Sequence, residues 1–294
     1  YSALPQDAFE LTHNDIHKHV DRNFASQNYW KDALVRFLRN KGAIFGLIMI
    51  AIIIFFAAFG PSMTPYTYES QIIEQQNLAP RIPGLEKLGI FDGSETMVLG
   101  EVKLEKNDYI SKGYEDVYYW FGSDTLGRDI FTRVWEGTRI SLYIAIGAVV
   151  IDVIFGLSYG LISGYFGGKI DLFMERFSEI LGSVPTIIVI TLLKYHMGST
   201  SQVIVLFIAF FATGWIGMAG TTRMQFYRFK NQEYVLAART LGARDARIMF
   251  KHIFPNGLGT IVTRCALVIP SMIYSETNLS YLGIVNLEHG NITS

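Results

Sequence analysis

The chain has 294 residues, of which 50% are hydrophobic and only 17% are charged. Because soluble domains carry about 25% charged residues, this composition favours a membrane protein. The 25 basic and 26 acidic residues nearly cancel, which excludes a strong overall attraction to nucleic acid, and the single cysteine excludes an internal disulfide.

Residues 1–41 form a predicted N-terminal segment that ends in an amphipathic helix. Apolar residues such as Leu34 recur there at helical spacing beside basic residues such as Arg36, as in helices that lie at a membrane surface. Residues 42–59 are apolar and uncharged, close to the ~20 residues that a bilayer core requires. They are predicted to be the first transmembrane helix.

Residues 60–138 change in composition. Acidic residues outnumber basic ones, glycines and prolines are frequent, and no apolar run is long enough to cross a bilayer. We therefore predict a small water-exposed domain. Residues 139–294 form the predicted transmembrane core, with a polar loop at 223–256. Its four predicted spans are Ile140–Ile162, Leu172–Leu193, Val203–Thr222 and Leu258–Leu282.

The orientation follows from the distribution of basic residues. They cluster before the first span and again within 223–256, so the positive-inside rule places both segments in the cytoplasm. Four predicted spans separate the two segments, and an even number of crossings returns the chain to the side on which it started. The two cytoplasmic assignments are therefore consistent with each other. The same count places residues 60–138 outside and predicts an extracytoplasmic domain.

No motif for catalysis or metal binding emerges. Residues 164–170 come nearest to a phosphate-binding loop, but they lack its glycine spacing and the Ser or Thr after lysine. His13, His17 and His19 include one pair at helical spacing but lie in a polar terminal segment without a constellation of acidic or cysteine ligands, which favours a solvated tail over a metal site. We therefore expect neither catalytic residues nor a metal site, and no enzyme activity.

Ionisable residues inside the predicted spans are costly in lipid and should face protein, water or a pore. They are Asp152, Glu175, Arg176, Glu179, Lys194, Arg264 and Glu276. Two interpretations are open for these residues. They could contact a substrate along a pathway, or they could form ion pairs between helices and extend from the span ends toward water. Arg264 and Glu276 are candidates for lining a pathway, as are Pro185 and Pro270, since proline bends helices and opens cavities between them.

The loop between the fourth and fifth spans carries the strongest signal. Good helix formers run up to a glycine that offers a C-terminal stop, and Asp245–Phe254 is predicted to be a second short helix before Pro255. The first helix and its stop comprise Glu233, Tyr234, Val235, Leu236, Ala237, Ala238, Arg239, Thr240, Leu241 and Gly242. Its alanines permit close approach by a partner, while its tyrosine and leucines offer apolar anchors. A basic hairpin at the membrane surface would explain the arginines but not the whole pattern.

Residues 234–243 and 252–256 closely resemble the EAA loop of binding-protein-dependent ABC importer permeases, and the dipeptide and oligopeptide branch is most similar. Further resemblances lie at 121–142, 163–171 and 276–283. The resemblance implies an all-α polytopic membrane protein of the bacterial plasma membrane. Its fold would be the type I ABC importer transmembrane domain, with an inserted extracytoplasmic segment.

The resemblance also implies a function. The chain would be a permease subunit of an ATP-driven importer for oligopeptides or dipeptides, forming half of the translocation pathway. Its partners would be a second homologous permease, two cytoplasmic ATP-binding subunits and an extracellular substrate-binding protein. ATP and Mg would be bound by the ATPases, so no cofactor is expected in this chain. Residues 233–242 would couple to one ATPase.

The chain departs from the family pattern in two respects. Leu236 stands where the family usually has the glutamate that names the motif, so apolar docking must carry more of the contact. Family members usually have a sixth span, and we expect that truncation explains its absence here. Two alternatives stay open: an ATP-independent secondary transporter or channel, and an ABC permease for nickel or another small solute.

Overall fold

The computed structural model describes residues 29–99, 102–198 and 200–285 of a chain that divides into two compact units, 1–59 and 60–294. The described part of the first unit consists of helices α1 (Tyr29–Arg39) and α2 (Lys41–Phe59). The Asn40 side chain caps α2, since its Oδ1 accepts hydrogen bonds from the backbone N–H groups of Gly42 and Ala43 at 3.0 and 3.2 Å. Beyond Lys41, α2 is uncharged and apolar on all sides, as a lipid-facing helix requires.

The second unit begins with the predicted extracytoplasmic segment, which contains short helical turns and one hairpin. Its elements are the turns Gly60–Ser62, Ile73–Gln75 and Glu86–Leu88, strands β1 (Ser94–Leu99) and β2 (Val102–Asn107), and helix α3 (Asp108–Ser111). The strands are antiparallel, and Ser94 pairs with Asn107. This hairpin is a small addition to a chain that is mainly helical, as predicted.

Buried tyrosines form the core of this segment. Tyr109 donates a hydrogen bond to the Ala79 carbonyl at 2.7 Å, and Tyr119 donates one to Oε1 of Gln75 at 2.6 Å. Burial raises the pKa of both phenols above the ordinary range, so they stay neutral donors. Leu78 completes the cluster, which therefore combines apolar packing with satisfied hydroxyl groups.

The following segment turns sharply into the second span. Gly127 has φ +68°, and a Cβ there would lie 1.8 Å from the Ile72 carbonyl oxygen, so only glycine fits. Asp129 then caps the next helix, because its carboxylate accepts hydrogen bonds from the N–H and hydroxyl of Thr132 at 3.0 and 2.5 Å. The cap starts this helix at Ile130, ten residues before the predicted Ile140.

The remaining elements are helical. They are α4 (Ile130–Ile151), a π-helical turn (Asp152–Leu157), α5 (Ser158–Phe166), α6 (Gly168–Gly182), α7 (Thr186–His196), α8 (Gln202–Thr213), α9 (Ile216–Phe229), α10 (Glu233–Thr240), α11 (Asp245–Arg247), a second π-helical turn (Ile248–Ile253) and α12 (Phe254–Tyr281).

Among the described residues, four stretches are long and apolar enough to cross a membrane: Lys41–Ser62, Ile130–Phe166, Gln202–Phe229 and Asp245–Tyr281. Helices α6 and α7 make a fifth span if the pair is counted as one, with a 67° bend at the break that contains Pro185. The five predicted spans therefore correspond to these helices. The bend expected at Pro185 is present, whereas α12 stays continuous at Pro270.

The prediction of a separate second helix at Asp245–Phe254 was wrong. This stretch continues without a break through α12 and forms one helix from Asp245 to Tyr281. Pro255 does not end the helix because it lies in the first turn of α12, directly after a π-helical turn. The wider turn shifts the bonding pattern by one residue, which accommodates a proline that has no N–H to donate.

The second and fourth spans pack closely through glycines. Gly156, Gly160 and Gly164 recur every fourth residue and face α9. A Cβ at Gly160 would lie only 2.2 Å from the carbonyl oxygen of Ala219, so the two backbones are in contact. Such small residues allow helices to approach in a bilayer, where packing rather than apolar burial drives association.

Candidate functional site

Helix α10 is anchored to the ends of the spans by one buried side chain. Val235 is fully buried and packs in an apolar cluster with Leu161, Phe226, Ile248 and Ile253. These residues come from α5, α9 and the second π-helical turn. The helix is therefore fixed against three elements that continue into predicted spans.

The opposite side of α10 is exposed. At about 100° of rotation per residue, Tyr234, Ala237 and Leu241 fall on one stripe turned away from Val235. Tyr234 is 40% exposed and Leu241 is 88% exposed. Leu236, also half exposed, lies on the other flank of the helix. The predicted apolar anchors thus divide between two flanks, and we call Tyr234, Ala237 and Leu241 the docking stripe.

A glycine ends α10 as predicted. Gly242 has φ +81°, and its N–H donates to the Arg239 carbonyl at 3.0 Å. The N–H of Ala243 donates to the carbonyl of Ala238, also at 3.0 Å. This pair of bonds is the Schellman arrangement, which satisfies carbonyls that would otherwise lack partners. It leaves Leu241 projecting at the end of the helix.

Tyr165, at the end of the second span, touches the loop on both sides of that stop. Its hydroxyl donates to Oδ1 of Asp245 at 2.5 Å and accepts from Nη2 of Arg239 at 3.4 Å. These bonds connect the second span to both α10 and the start of the long helix that contains α12. A movement of α10 would therefore reach both spans directly.

A charged cluster joins the second, third and fourth spans beside this loop. Nε and Nη2 of Arg223 donate to the two carboxylate oxygens of Asp171 at 2.6 and 2.7 Å, which is the strong bidentate geometry. Tyr227 and Ser163 also donate to Asp171, Tyr227 at 2.6 Å. Arg223 further contacts Glu175 at 2.9 and 3.0 Å. We call these five residues the charge cluster.

The sequence predicts only part of this cluster. Glu175 is one of the ionisable residues expected within a span, and the ion-pair interpretation fits it, since its partner is Arg223. The pairing of Asp171 with Arg223 was not predicted because they lie 52 residues apart along the chain. The four-residue spacing of the glycines is a sequence signal that could have indicated which spans are neighbours.

The four residues proposed to line a pathway do not form a single site. Glu276 is buried near the C-terminal end of α12 and accepts a hydrogen bond from the Ser141 hydroxyl at 2.9 Å. Arg264 lies 12 residues earlier, about 18 Å along the helix axis, where its guanidinium packs against Gly217. Pro270 lies between them in α12, and Pro185 precedes α7.

The other ionisable residues in the spans fit the ion-pair or span-end interpretation only in part. Arg176 and Glu179 form an exposed pair at 2.5 Å, but both lie on α6, so this pair does not join two helices. Lys194 donates to the backbone carbonyl of Ile284 at 2.5 Å. Asp152 is buried in the first π-helical turn. Across the described ranges, no group of three His, Cys, Asp or Glu side chains is arranged to hold a metal ion.

The three histidines of the N-terminal segment, His13, His17 and His19, lie outside the described residues.

Two protein families match this chain. Residues 156–287 match the family described as "Binding-protein-dependent transport system inner membrane component". Residues 28–80 match the "N-terminal TM domain of oligopeptide transport permease C". The first match covers the charge cluster and α10, and the second covers the first span.

Individual relatives cover most of the chain. The oligopeptide transport system permease protein OppC of Bacillus subtilis is 39% identical over 281 residues, which are 96% of this chain and 80% of the relative. The dipeptide transport system permease protein DppC of the same organism is 34% identical over 97% of this chain and 77% of its own length. OppC of Escherichia coli K12 is 32% identical over 88% of this chain and 74% of its own length.

Proposed function

The chain belongs to the family of binding-protein-dependent transport system inner membrane components, and from this we propose that it is a permease subunit of an importer for oligopeptides or dipeptides. The names of its relatives support peptides as the substrate class. The apolar helices support the expected place in the bacterial plasma membrane.

We further propose the partners that the family resemblance implied. A second homologous permease completes the pathway, and an extracellular substrate-binding protein delivers the peptide. Two cytoplasmic subunits bind ATP and Mg, so the energy of transport comes from other polypeptides. This chain then needs no catalytic residue, and its task is to transmit a movement.

The exposed docking stripe on α10 is the observation that carries this proposal. An amphipathic helix that places residues i, i+3 and i+7 into an apolar groove is a common mode of protein recognition. Tyr234 and Leu241 supply the apolar groups, and Ala237 between them lets the partner approach. Partial burial raises the pKa of Tyr234, so its phenol stays neutral in such a contact.

Transmission requires that the ATPase contact α10 differently in two states, because a ligand shifts an equilibrium only through unequal affinities. Val235 holds the helix to the spans, and Tyr165 ties both ends of the loop to the second span. Closing of the ATPase pair would therefore displace the spans rather than bend the loop.

Leu241→Ser tests the docking stripe. Burying a leucine side chain stabilises a contact by about 1.5–3 kcal/mol, so its loss should weaken ATPase association about ten-fold or more. We expect reduced co-purification of the ATP-binding subunits and a matching loss of peptide uptake. Because Leu241 is 88% exposed, the fold of this chain should not change.

Ile110→Ser is the matched control, since it removes a side chain that is 69% exposed on the predicted outer side. It should leave ATPase association unchanged. Undiminished uptake and co-purification in Leu241→Ser would contradict docking through this stripe. Uptake that a protonophore abolishes while ATP depletion has no effect would instead indicate a secondary transporter.

A further inference from the structure

A cavity opens between the N-terminal half of α4 and the C-terminal end of α12. Its volume is about 410 Å³, which lies within the range of pockets that hold small ligands. Its wall includes Tyr68, Ser141, Glu276, Thr277, Ser280 and Tyr281. Tyr68 comes from the extracytoplasmic segment, and the Arg133 guanidinium lies 4.6 Å from the centre of its ring, which helps to fix this wall.

Glu276 is the only acidic residue among those that line the cavity. Its side chain is well buried, since the residue is only 6% exposed. Oε1 accepts the Ser141 hydrogen bond, but Oε2 has no hydrogen-bond partner among the residues that the structure describes. A buried carboxylate oxygen without a partner is costly, which points to a donor that arrives from outside the chain.

We propose that this cavity is a subsite for the α-ammonium group of the transported peptide, an assignment that rests on the proposed function. An ammonium group brings a positive charge and three N–H donors. Oε2 of Glu276 takes one of them, and the hydroxyl oxygens of Ser141, Thr277 and Ser280 have lone pairs for the others. A hard divalent cation fits less well because it needs six or more oxygens, commonly with several carboxylates.

The position of the cavity suits a first contact with a peptide. Glu276 lies five residues before the end of α12, about 7.5 Å along the helix axis. By the predicted orientation this end faces the outside, where the peptide arrives. The α-ammonium group is common to free peptides whatever their side chains, so this subsite would recognise peptides without regard to their sequence.

The test uses the assembled complex in proteoliposomes with its binding protein loaded with one of three probes. The probes are trialanine, N-acetyl-trialanine and trialanine amide, and initial uptake rates are compared. We expect the wild-type complex to prefer trialanine over the acetylated form. Glu276→Gln should lower that ratio about ten-fold, the factor expected from one charge-assisted hydrogen bond. Glu276→Asp, which keeps the charge, should retain most of the preference.

Two further variants sharpen the test. Glu179→Gln, at an exposed pair on α6, should leave the ratio unchanged. Ser141→Ala removes the hydroxyl that orients Glu276, and should lower the ratio about three-fold. It carries the test if the Glu276 variants fail to assemble.

An unchanged ratio of trialanine uptake to N-acetyl-trialanine uptake in Glu276→Gln would overturn the subsite. If the Glu276 variants do not assemble, an unchanged ratio in Ser141→Ala would overturn it instead. A wild-type complex that discriminates against the amide rather than against the acetylated peptide would also overturn it. Failure of the wild-type complex to move any of the three probes would refute peptide import itself, and this outcome differs from the loss of a preference.

Discussion

Replacing Gly160 by leucine is expected to force the second and fourth spans apart and to abolish uptake. A Cβ at this position would lie 2.2 Å from the Ala219 carbonyl oxygen and 2.8 Å from the Cβ of Thr222. Overpacking a core costs about 1–3 kcal/mol. For Gly160 the cost should reach at least the upper part of that range, because a backbone group cannot rotate away as a side chain can.

The effect is measured as the midpoint of thermal unfolding of the purified complex, together with uptake. Gly220→Leu is the matched control, because Gly220 lies on the partner helix α9 and a Cβ there would meet nothing within 4 Å. We expect a clear fall in the midpoint for Gly160→Leu and little change for Gly220→Leu. Equal midpoints for wild type and Gly160→Leu would refute the close contact of these spans.

Arg223→Met is expected to destabilise the ends of the second, third and fourth spans that meet at the charge cluster. It removes the bidentate partner of Asp171, whose side chain is only 8% exposed, and leaves that carboxylate without a compensating charge. Removing one partner of a buried ion pair costs about 3–5 kcal/mol. The midpoint of thermal unfolding should fall by several degrees. Uptake should fall more steeply than assembly of the complex, because α10 packs against α5 and α9, which carry part of the charge cluster.

Arg176→Met provides the comparison, because Arg176 pairs with Glu179 on the surface, where their side chains are 65% and 52% exposed. Exposed pairs contribute about 0–1 kcal/mol, so a small effect is expected. Combining Arg223→Met with Asp171→Asn should restore part of the stability, since no uncompensated charge then remains. Additive losses in the double variant would show that the two residues do not act as a pair.

The spans were predictable because a bilayer imposes a length and an apolar composition on every helix that crosses it. The stop at Gly242 was predictable for an equally local reason, since a left-handed residue at a helix end is usually glycine. Neither inference needs knowledge of which helices are neighbours.

The features that the sequence did not predict depend on which helices are neighbours or on small local changes in helix geometry. The pairing of Asp171 with Arg223 could not be predicted without knowing that α6 lies beside α9. The continuation of the helix past Pro255 depends on a π-helical turn, which the local pattern of apolar and charged residues does not predict. The absence of a partner for Oε2 of Glu276 among the described residues follows from the packing of α4 on α12. The sequence therefore predicted Glu276 as a candidate residue but could not predict its surroundings.

The uninterrupted helix from Asp245 to Tyr281 has a mechanical consequence. Its 37 residues correspond to about 55 Å, well beyond the ~30 Å of a hydrocarbon core. It is therefore a single helix that begins beside α10 and ends beside the cavity at Glu276. A tilt imposed at one end would be carried along one continuous helix to the other, so a movement of α10 and the shape of the cavity at Glu276 would change together.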